Sequence, residues 1–240
     1  MTPPRRLLAV IPARLGSRRV PRKNIRELLG RPAISYSIEA ALDSGLFDRV
    51  IVSTDAEEIA AVARAHGAEV PFLRDPTLAD DHTHVSAVTA DALDRIDPDS
   101  QVAAVAQLLP NCPLRTADDV RASYAQFEAS GAEAQLSVTQ YGWQNPWWAS
   151  RLSAGSKLEP LFPEAMTRRS QDLGELYCPT GAVWWARAAV LRLGRTFHVA
   201  GRTGWVMPWQ RAVDIDTEDD WQMAEQLLQL TRVAGAADAR

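Results

Sequence analysis

Short apolar segments alternate with longer amphipathic segments along the first 140 residues. The apolar segments have the length of strands and predict strands over residues 7–11, 50–53, 102–109 and 136–139. The amphipathic segments predict helices over residues 33–44, 56–65, 85–96 and 116–130. Two of these helices carry start signals, Asp55 three residues before Glu58 and Thr116 three residues before Asp119.

This alternation predicts an α/β fold in which a mainly parallel sheet is covered by helices on both faces. Ligands of such sheets bind at the carboxyl ends of the strands. Two common nucleotide signatures are missing from the sequence: no Gly-x-Gly-x-x-Gly motif opens the first helix, and no Walker loop ends in Gly-Lys-Ser/Thr. A dinucleotide-binding Rossmann unit is therefore a poor fit.

The composition changes at about residue 141. Every tryptophan follows this point, at positions 143, 147, 148, 184, 185, 205, 209 and 221. We interpret residues 141–180 as an aromatic-rich excursion, after which the chain returns with strands at 181–186, near 205–207 and at 212–215, and a final helix from Thr217. The tryptophans either form an interface or fill a local core.

Length, charge and cysteine content limit the classes of protein. A chain of 240 residues, 46% of them hydrophobic, is expected to fold as one domain, residues 1–240. A net charge of −4 argues against nucleic acid as a partner. No apolar run is as long as a membrane span and the chain start lacks a signal-peptide core, so we expect no membrane contact and a cytoplasmic protein. Cys112 and Cys178 are too few for a disulfide framework or a zinc site.

The strongest chemical signal is a basic loop, residues 13–24, that directly follows the first predicted strand. It contains five cations and no acid, and Gly16 and Ser17 let backbone and hydroxyl donors approach an anion closely. Lys23 is one of only two lysines in a chain with 24 arginines. The loop predicts a polyphosphate site.

A second signal is the segment Asp214-Ile215-Asp216. In an extended segment residues two apart share a face, so both carboxylates would point the same way while Ile215 anchors the core. Two hard oxygen ligands at this spacing suit Mg²⁺, which takes a few carboxylates together with substrate phosphates and water. The alternative is structural, with Asp216 in a turn and Thr217 as a helix cap.

As an ordered set, these segments resemble the acylneuraminate cytidylyltransferases, enzymes that activate sialic-acid-like nonulosonic acids as CMP-sugars. The resemblance spans roughly residues 7–230. It rests on Ile11-Pro12-Ala13-Arg14, Gly16-Ser17, Lys23-Asn24, residues 47–55, Pro71-Phe72-Leu73-Arg74, Leu78-Ala79-Asp80-Asp81, Pro113-Leu114-Arg115, residues 169–173 and residues 214–217.

The resemblance implies a Rossmann-like nucleotidyltransferase sheet with a dimerisation excursion, CTP and a nine-carbon α-keto acid as substrates, Mg²⁺ as cofactor, and a homodimer. It assigns nucleotide binding to Ala13, Arg14, Gly16, Ser17, Arg18, Lys23, Asn24 and Arg74. Within that set, Arg14, Ser17 and Lys23 would hold the triphosphate, and Asn24 and Arg74 would lie on the nucleoside side.

The resemblance also implies the reaction and the remaining site residues. The anomeric hydroxyl of the sugar would attack the α-phosphorus of CTP, and pyrophosphate would leave. Asp214 and Asp216 would carry the metal, and the catalytic residues would be Arg14, Lys23 and Asp214. The sugar would be bound by Leu109, Asn111, Arg115, Gln171 and Asp172.

Two positions depart from the family pattern. Arg18 stands where the family often has lysine, which keeps the charge and changes the geometry of a phosphate contact. Leu109 stands where enzymes acting on N-acetylneuraminate commonly have a glutamine that contacts the sugar. Because leucine forms no hydrogen bond, we expect a nonulosonic acid with a deoxygenated methyl terminus, of the pseudaminic or legionaminic type. Residues 169–173 are similar to the pseudaminic-type branch, whereas residues 177–181 depart from it.

Two other functions stay open at this point. A nucleotide-sugar-dependent glycosyltransferase also uses an Asp-x-Asp pair, although cleaving a sugar diphosphate needs no triphosphate loop. The other is a nucleotide-binding module without catalysis. Pyrophosphate release from CTP and a turnover assay with nine-carbon keto acids separate these alternatives.

Overall fold

The computed structural model describes residues 6–80 and 83–238, with side chains up to residue 232. The strands are β1 Arg6–Pro12, β2 Glu27–Leu28, β3 Arg31–Pro32, β4 Arg49–Ser53, β5 Val102–Gln107, β6 Ala134–Gln140, β7 Ser150–Leu152, β8 Leu158–Pro160, β9 Tyr177–Arg187 and β10 Thr203–Val206. The α-helices are α1 Ala33–Asp43, α2 Glu57–Ala65, α3 Val85–Ile96, α4 Ala117–Ser130, α5 Ala188–Gly194 and α6 Glu218–Asp238.

Six of these strands form the central sheet, in the order β10-β6-β9-β5-β1-β4. β1 pairs in parallel with β4 and β5, and β10 pairs in parallel with β6. β9 runs antiparallel to both of its neighbours, β5 and β6. The sheet is thus mainly parallel, as the alternation predicts. The register sets Pro12 beside Ser53 and Val10 beside Gln107, so β1, β4 and β5 end at the same edge.

The two faces of the sheet carry separate apolar clusters, which explains why the strands are apolar throughout. Along β1, Ala9 and Ile11 belong to one cluster, whereas Leu8 and Val10 belong to the other. The first cluster includes Ile34 and Ile38 of α1, Ile59 of α2 and Phe127 of α4. The second includes Leu93 of α3 and Leu191 of α5. Helices therefore cover both faces of the sheet.

Most predicted elements are confirmed within two residues of their predicted ends. Thr116 caps α4 through a capping box. Its hydroxyl accepts a hydrogen bond from the Asp119 amide at 3.2 Å, and the Asp119 carboxylate accepts one from the Thr116 amide at 2.9 Å. The predicted Asp55 cap is wrong. Residue Ala56 precedes α2 without a side-chain cap, and the Asp55 carboxylate instead accepts the Leu15 amide of the basic loop at 3.4 Å.

The strand predicted at 212–215 is also wrong. A short 3₁₀ helix, Trp209–Arg211, precedes this segment. The backbone of the segment pairs with a loop residue rather than with a strand. The Ile215 amide donates to the Asn111 carbonyl at 2.8 Å. Ile215 itself is fully buried, as predicted.

The excursion leaves the sheet at the end of β6, and the chain returns to the sheet at Tyr177. The sequence predicts that the excursion extends to residue 180. It contains the β7–β8 hairpin and the 3₁₀ helices Pro146–Trp148, Pro163–Ala165 and Ser170–Asp172. Its aromatic residues are divided between two environments. Trp147 packs edge-on against Phe162 and donates to the Gly174 carbonyl at 2.8 Å, whereas Trp143 is 88% exposed. Across the described ranges, we find no helix with both the length and the apolar character that crossing a membrane requires.

Candidate active site

A cavity of about 350 Å³ opens at the edge of the sheet where β1 and β5 end. Its wall combines the loop after β1, the segment before α3 with the amino end of that helix, the loop after β5, and one residue from the far end of the chain. We call it the main cavity. It is lined by Pro12, Arg14, Lys23, Asn24, Arg74, Leu78, Asp80, Thr83, Val85, Val88, Leu109, Pro110, Asn111 and Asp216.

A second cavity of about 310 Å³ adjoins the first and is lined mostly by basic side chains. We call it the basic cavity. It shares four residues with the main cavity and adds three from the basic loop. The lining is Arg14, Ser17, Arg18, Arg19, Lys23, Asn24 and Asp216. Because several cations surround one small space, an anion with several oxygens would be strongly favoured there.

A buried valine gives the basic loop its fixed shape. Val20 is fully buried in a cluster that contains Leu28 of β2 and Ile215. Its carbonyl accepts the Lys23 amide at 3.2 Å. At the start of the loop, the Ala13 amide donates to the Ser53 carbonyl at 2.9 Å. The loop is therefore anchored to the core at both of these points rather than only solvated.

Two buried polar residues hold the start of the loop from behind. Asn24 donates through its side-chain amide to the Arg14 carbonyl at 2.9 Å. Arg74 donates to the carbonyls of Ala13 at 2.6 Å and Ser53 at 3.1 Å. Burial lowers the pKa of the Arg74 guanidinium below its ordinary value. Asn24 lines both cavities, whereas Arg74 lines the main cavity.

The remaining loop residues differ in accessibility. The Arg14 guanidinium donates to the Asp80 carbonyl at 3.0 Å, which joins the loop to the segment before α3. Ala13 is buried, so its predicted contact with a nucleotide would be limited to backbone atoms. Gly16 is exposed, with no atom within 4 Å of where a Cβ would lie. Asp81, part of the motif that follows Arg74, lies outside the described residues.

Lys23 joins the two ends of the chain. Its Nζ atom donates to the Ile215 carbonyl at 2.6 Å and to Oδ1 of Asp216 at 3.1 Å. Arg19 approaches the other oxygen, Oδ2, at 2.8 Å. The basic loop and the aspartate pair, which the sequence analysis treats as separate signals, therefore form one site.

Asp214 lies in a different environment from Asp216. Its carboxylate accepts from the Asn111 side-chain amide, and the Gly181 backbone amide acts to lower its pKa. Burial raises the pKa of Asp214, and the nearby charge of Asp216 raises it further. Asp216 lines both cavities and Asp214 lines neither, so the two carboxylates differ in their access to the cavities. The irregular backbone at 212–216 is the reason.

These two carboxylates fit a magnesium ion in chemistry and charge. Burial first, and the charge of Asp216 second, raise the pKa of Asp214, and a dication bound beside it would favour the charged form of the carboxylate. Among the described residues, no cluster of three or more histidine, cysteine or acidic side chains is arranged to hold a metal. Mg²⁺ is commonly bound by one or two carboxylates, water and substrate phosphates. Any such ion would therefore depend on the phosphates of a substrate.

The loop after β5 contributes Leu109 and Asn111, two of the predicted sugar-binding residues, to the main cavity. Arg115, the third predicted sugar-binding residue of this loop, lies below it. Its guanidinium is buried and donates to the carbonyls of Leu109, Cys112 and Ala182. Burial lowers the pKa of Arg115 to about 10. This side chain supports the loop and does not line the main cavity, so its expected contact with the sugar stays a prediction.

The other two predicted sugar-binding residues lie on the excursion. Gln171 and Asp172 are exposed in a 3₁₀ helix, and the Asp172 carboxylate pairs with Arg169 at 2.9 Å. Neither residue lines the main cavity of this chain. The structure therefore does not bring them together with Leu109 and Asn111.

Two groups of site residues are not predicted from the sequence. Val85 and Val88 of α3 line the main cavity, but their helical spacing marks them only as core residues. Asp220 accepts from the amides of Asp216 at 3.0 Å and Thr217 at 2.8 Å, which fixes Asp216 at the start of α6. The signal for this second group is the Thr217-x-x-Asp220 spacing of a capping box.

Comparisons with known proteins agree with this geometry. A family model described as cytidylyltransferase matches residues 8–106, which include the basic loop. Pseudaminic acid cytidylyltransferase of Campylobacter jejuni is 34% identical over 219 residues, 91% of this chain and 94% of the relative. CMP-N,N'-diacetyllegionaminic acid synthase of Legionella pneumophila is 34% identical over 239 residues, 95% of this chain and 99% of the relative.

A solved structure shares the fold at lower sequence identity. CMP:2-keto-3-deoxy-manno-octonic acid synthetase, determined in complex with CTP, superposes with a TM-score of 0.69 at 16% identity. The match covers 94% of this chain and 99% of that one. The predicted nucleotidyltransferase-type α/β fold is confirmed.

Proposed function

This chain belongs to the cytidylyltransferase family, and we propose that it transfers the cytidylyl group of CTP to a nine-carbon α-keto acid of the nonulosonic class. The products would be a CMP-sugar and pyrophosphate. The observation that carries the proposal is the Lys23–Asp216 contact, which unites the basic loop and the aspartate pair at one pair of cavities. The names of the two bacterial relatives support the class of sugar.

In the proposed reaction, the anomeric hydroxyl oxygen of the sugar bonds to the α-phosphorus of CTP. The bond from that phosphorus to the bridging oxygen breaks, pyrophosphate leaves with the bonding electrons, and the hydroxyl proton is released. Charge grows on the leaving pyrophosphate, so Arg14 and Lys23 would stabilise it through charge-assisted hydrogen bonds. Ser17 and Arg18, which line the basic cavity, would hold the same phosphates. Positioning and electrostatics suffice for this chemistry, and no covalent nucleophile is needed.

Asp214 and Asp216 would hold a magnesium ion. When bound, that ion would supply positive charge to the phosphate oxygens. Asn111 and the Gly181 amide orient the Asp214 carboxylate, and Asp220 fixes the backbone of Asp216. These contacts hold two like charges close together in the free protein.

We propose CTP as the nucleotide because the family acts on it. The test is thermal unfolding with each of the four ribonucleoside triphosphates. A ligand present at one hundred times its dissociation constant stabilises the fold by about 2.7 kcal/mol. We expect this increase with CTP, a smaller one with UTP and none with purines. Equal stabilisation by ATP and CTP would contradict the nucleotide assignment.

We propose a methyl-terminated sugar of the pseudaminic or legionaminic type as the acceptor. Leu109, Val85 and Val88 give the main cavity apolar surface, which supports a deoxygenated group over a hydroxylated one. Pyrophosphate release with CTP and pseudaminate, legionaminate or N-acetylneuraminate tests both the reaction and the sugar. A higher kcat/KM for N-acetylneuraminate would contradict the assignment of the sugar. Absence of pyrophosphate release with all three would contradict the proposed function.

We further propose a cytoplasmic homodimer in which the excursion forms much of the interface. Large apolar side chains stay exposed on this segment, and such patches mark interaction surfaces. They are Tyr141, Trp143, Trp148, Leu152, Leu158, Leu161 and Met166. In a dimer of this kind, Gln171 and Asp172 would reach the sugar site of the other subunit.

A further inference from the structure

Gly181 of β9 makes an unusually close approach to Leu109. A Cβ atom on Gly181 would lie 2.8 Å from Cγ and 3.0 Å from Cβ of Leu109, and closer still to Cδ1. Carbon atoms pack best at about 3.5–4.0 Å, so a side chain at position 181 would clash with Leu109 unless the leucine side chain moved. Gly181 does not have a positive φ, and its backbone conformation is open to any residue. Glycine is therefore favoured here by the position of Leu109 and not by backbone strain.

The backbone of Leu109 is held in place beside Gly181. Its amide donates to the Gly181 carbonyl at 3.0 Å. Its own carbonyl accepts from the Ser37 hydroxyl at 3.2 Å and from the buried Arg115 guanidinium. On the core side it packs against a cluster formed by Cys112, Ala182, Met207 and Ala212. The open side of the Leu109 side chain is the main cavity, which it lines.

The same glycine also contacts the aspartate pair. Its backbone amide helps to lower the pKa of the Asp214 carboxyl, while its carbonyl accepts from the Leu109 amide. One residue thus connects the apolar wall of the main cavity with a carboxylate of the site. Gly181→Ala would keep the backbone amide near Asp214 and would disturb the packing of the Leu109 side chain.

We propose that Gly181 is a positioning residue that sets the size of the apolar end of the main cavity. Because it has no side chain, Leu109 lies back against β9 and leaves room for the methyl terminus of a deoxygenated keto acid. A side chain at position 181 would drive Leu109 into the cavity and shorten it. This inference rests on the proposed function, since it assigns a specificity role for the same reaction.

The experiment compares Gly181→Ala, Leu109→Ala and the double variant with the wild-type chain. The readouts are kcat, the KM for pseudaminate, the KM for CTP, the melting temperature, and its shift with CTP alone. Gly181→Ala is expected to raise the KM for the sugar at least about tenfold, the cost of reshaping an apolar pocket by one group. The KM for CTP and the thermal shift with CTP stay at their wild-type values. Adding Leu109→Ala returns the sugar KM to that of Leu109→Ala alone.

Gly204→Ala is the matched control. Gly204 is a strand glycine of the same sheet without a positive φ, and a Cβ there would meet a Val138 methyl group at 3.3 Å. Neither Gly204 nor Val138 lines the main cavity or the basic cavity. We expect wild-type kinetic constants from this variant. A general effect of adding a methyl group to the sheet would appear in both glycine variants.

Three results would overturn the inference. The first is a wild-type sugar KM for Gly181→Ala, and the second is additive effects of the two substitutions. The third applies if Gly181→Ala fails to fold, and it is misfolding of the double variant as well. Recovery of folding in the double variant would instead support the steric contact between the two residues. If the wild-type chain transfers to no keto acid, the proposed function itself fails, and coupling between positions 181 and 109 in melting temperature still reports their contact.

Discussion

Lys23 Nζ lies 3.1 Å from Oδ1 of Asp216, across a sequence separation of 193 residues. This contact joins one of the chain's two lysines to Asp216 and places both residues beside the basic cavity. In the free protein, each charge compensates the other. A triphosphate would compete with Asp216 for Lys23, and a dication would compete with Lys23 for Asp216. The proposed metal–nucleotide complex would therefore find an opposite charge here for each of its own.

Lys23→Ala and Arg14→Ala are each expected to lower turnover much more than stability. Losing one charge contact to the transition state costs about 2.7–4 kcal/mol, a hundredfold or more in rate. Steady-state kinetics and urea unfolding measure the two effects separately. Lys157→Ala is the control, because Lys157 is exposed in the excursion. Near wild-type turnover in either loop variant would remove that residue from the phosphate site.

Asp214→Asn and Asp216→Asn are expected to lower magnesium-dependent activity by more than about a hundredfold, while the protein stays folded. Asparagine keeps the size of the side chain and removes the charge that a hard dication prefers. Titration of activity with MgCl₂ and far-UV circular dichroism test this. Asp219→Asn, at an exposed position in the same helix start, should behave as wild type. Persistent activity of both site variants at ordinary magnesium would make the pair structural.

Arg115→Met is expected to destabilise the fold. Each buried carbonyl left without its donor costs about 1–3 kcal/mol, and this guanidinium serves the carbonyls of Leu109, Cys112 and Ala182. Urea unfolding measures the change. Arg121→Met removes an arginine that is 45% exposed and should change stability little. Unchanged stability of Arg115→Met with a raised KM for the sugar would instead indicate the direct contact that the family resemblance implies.

Light scattering is expected to give twice the chain mass of 26.4 kDa. Trp143→Ser should weaken the dimer by about 2 kcal/mol, roughly thirtyfold in dissociation constant, if this exposed side chain anchors the interface. Leu193→Ser, at a 90% exposed position in α5, is the control and should leave the mass unchanged. A monomeric mass for the wild-type chain at micromolar concentration, with and without ligands, would contradict the homodimer.

The charged residues of the site are predicted from the sequence, whereas the residues that support them are not. The basic loop is visible in the sequence because its charges are consecutive and follow a buried strand. The support of that loop by Arg74 and Val20 comes from contacts with distant residues, such as the Arg74 bond to the Ala13 carbonyl at 2.6 Å. The family motif around Arg115 marks the residue as important, but only burial distinguishes a support for the loop from a sugar ligand.

The sequence by itself determined the layered α/β fold, the element positions, the basic loop and the aspartate pair. These are local properties: hydrophobic period, strand and helix length, and the charge of adjacent residues. Tertiary structure alone decided that residues 212–216 are not a strand, because they pair with Asn111 of another loop. It also decided that Asp214 and Asp216 differ in environment and that Gly181 lies directly against the Leu109 side chain. Each of these features depends on contacts between residues more than 70 positions apart, such as Leu109 and Gly181, which are separated by 72. A local sequence pattern does not record such contacts.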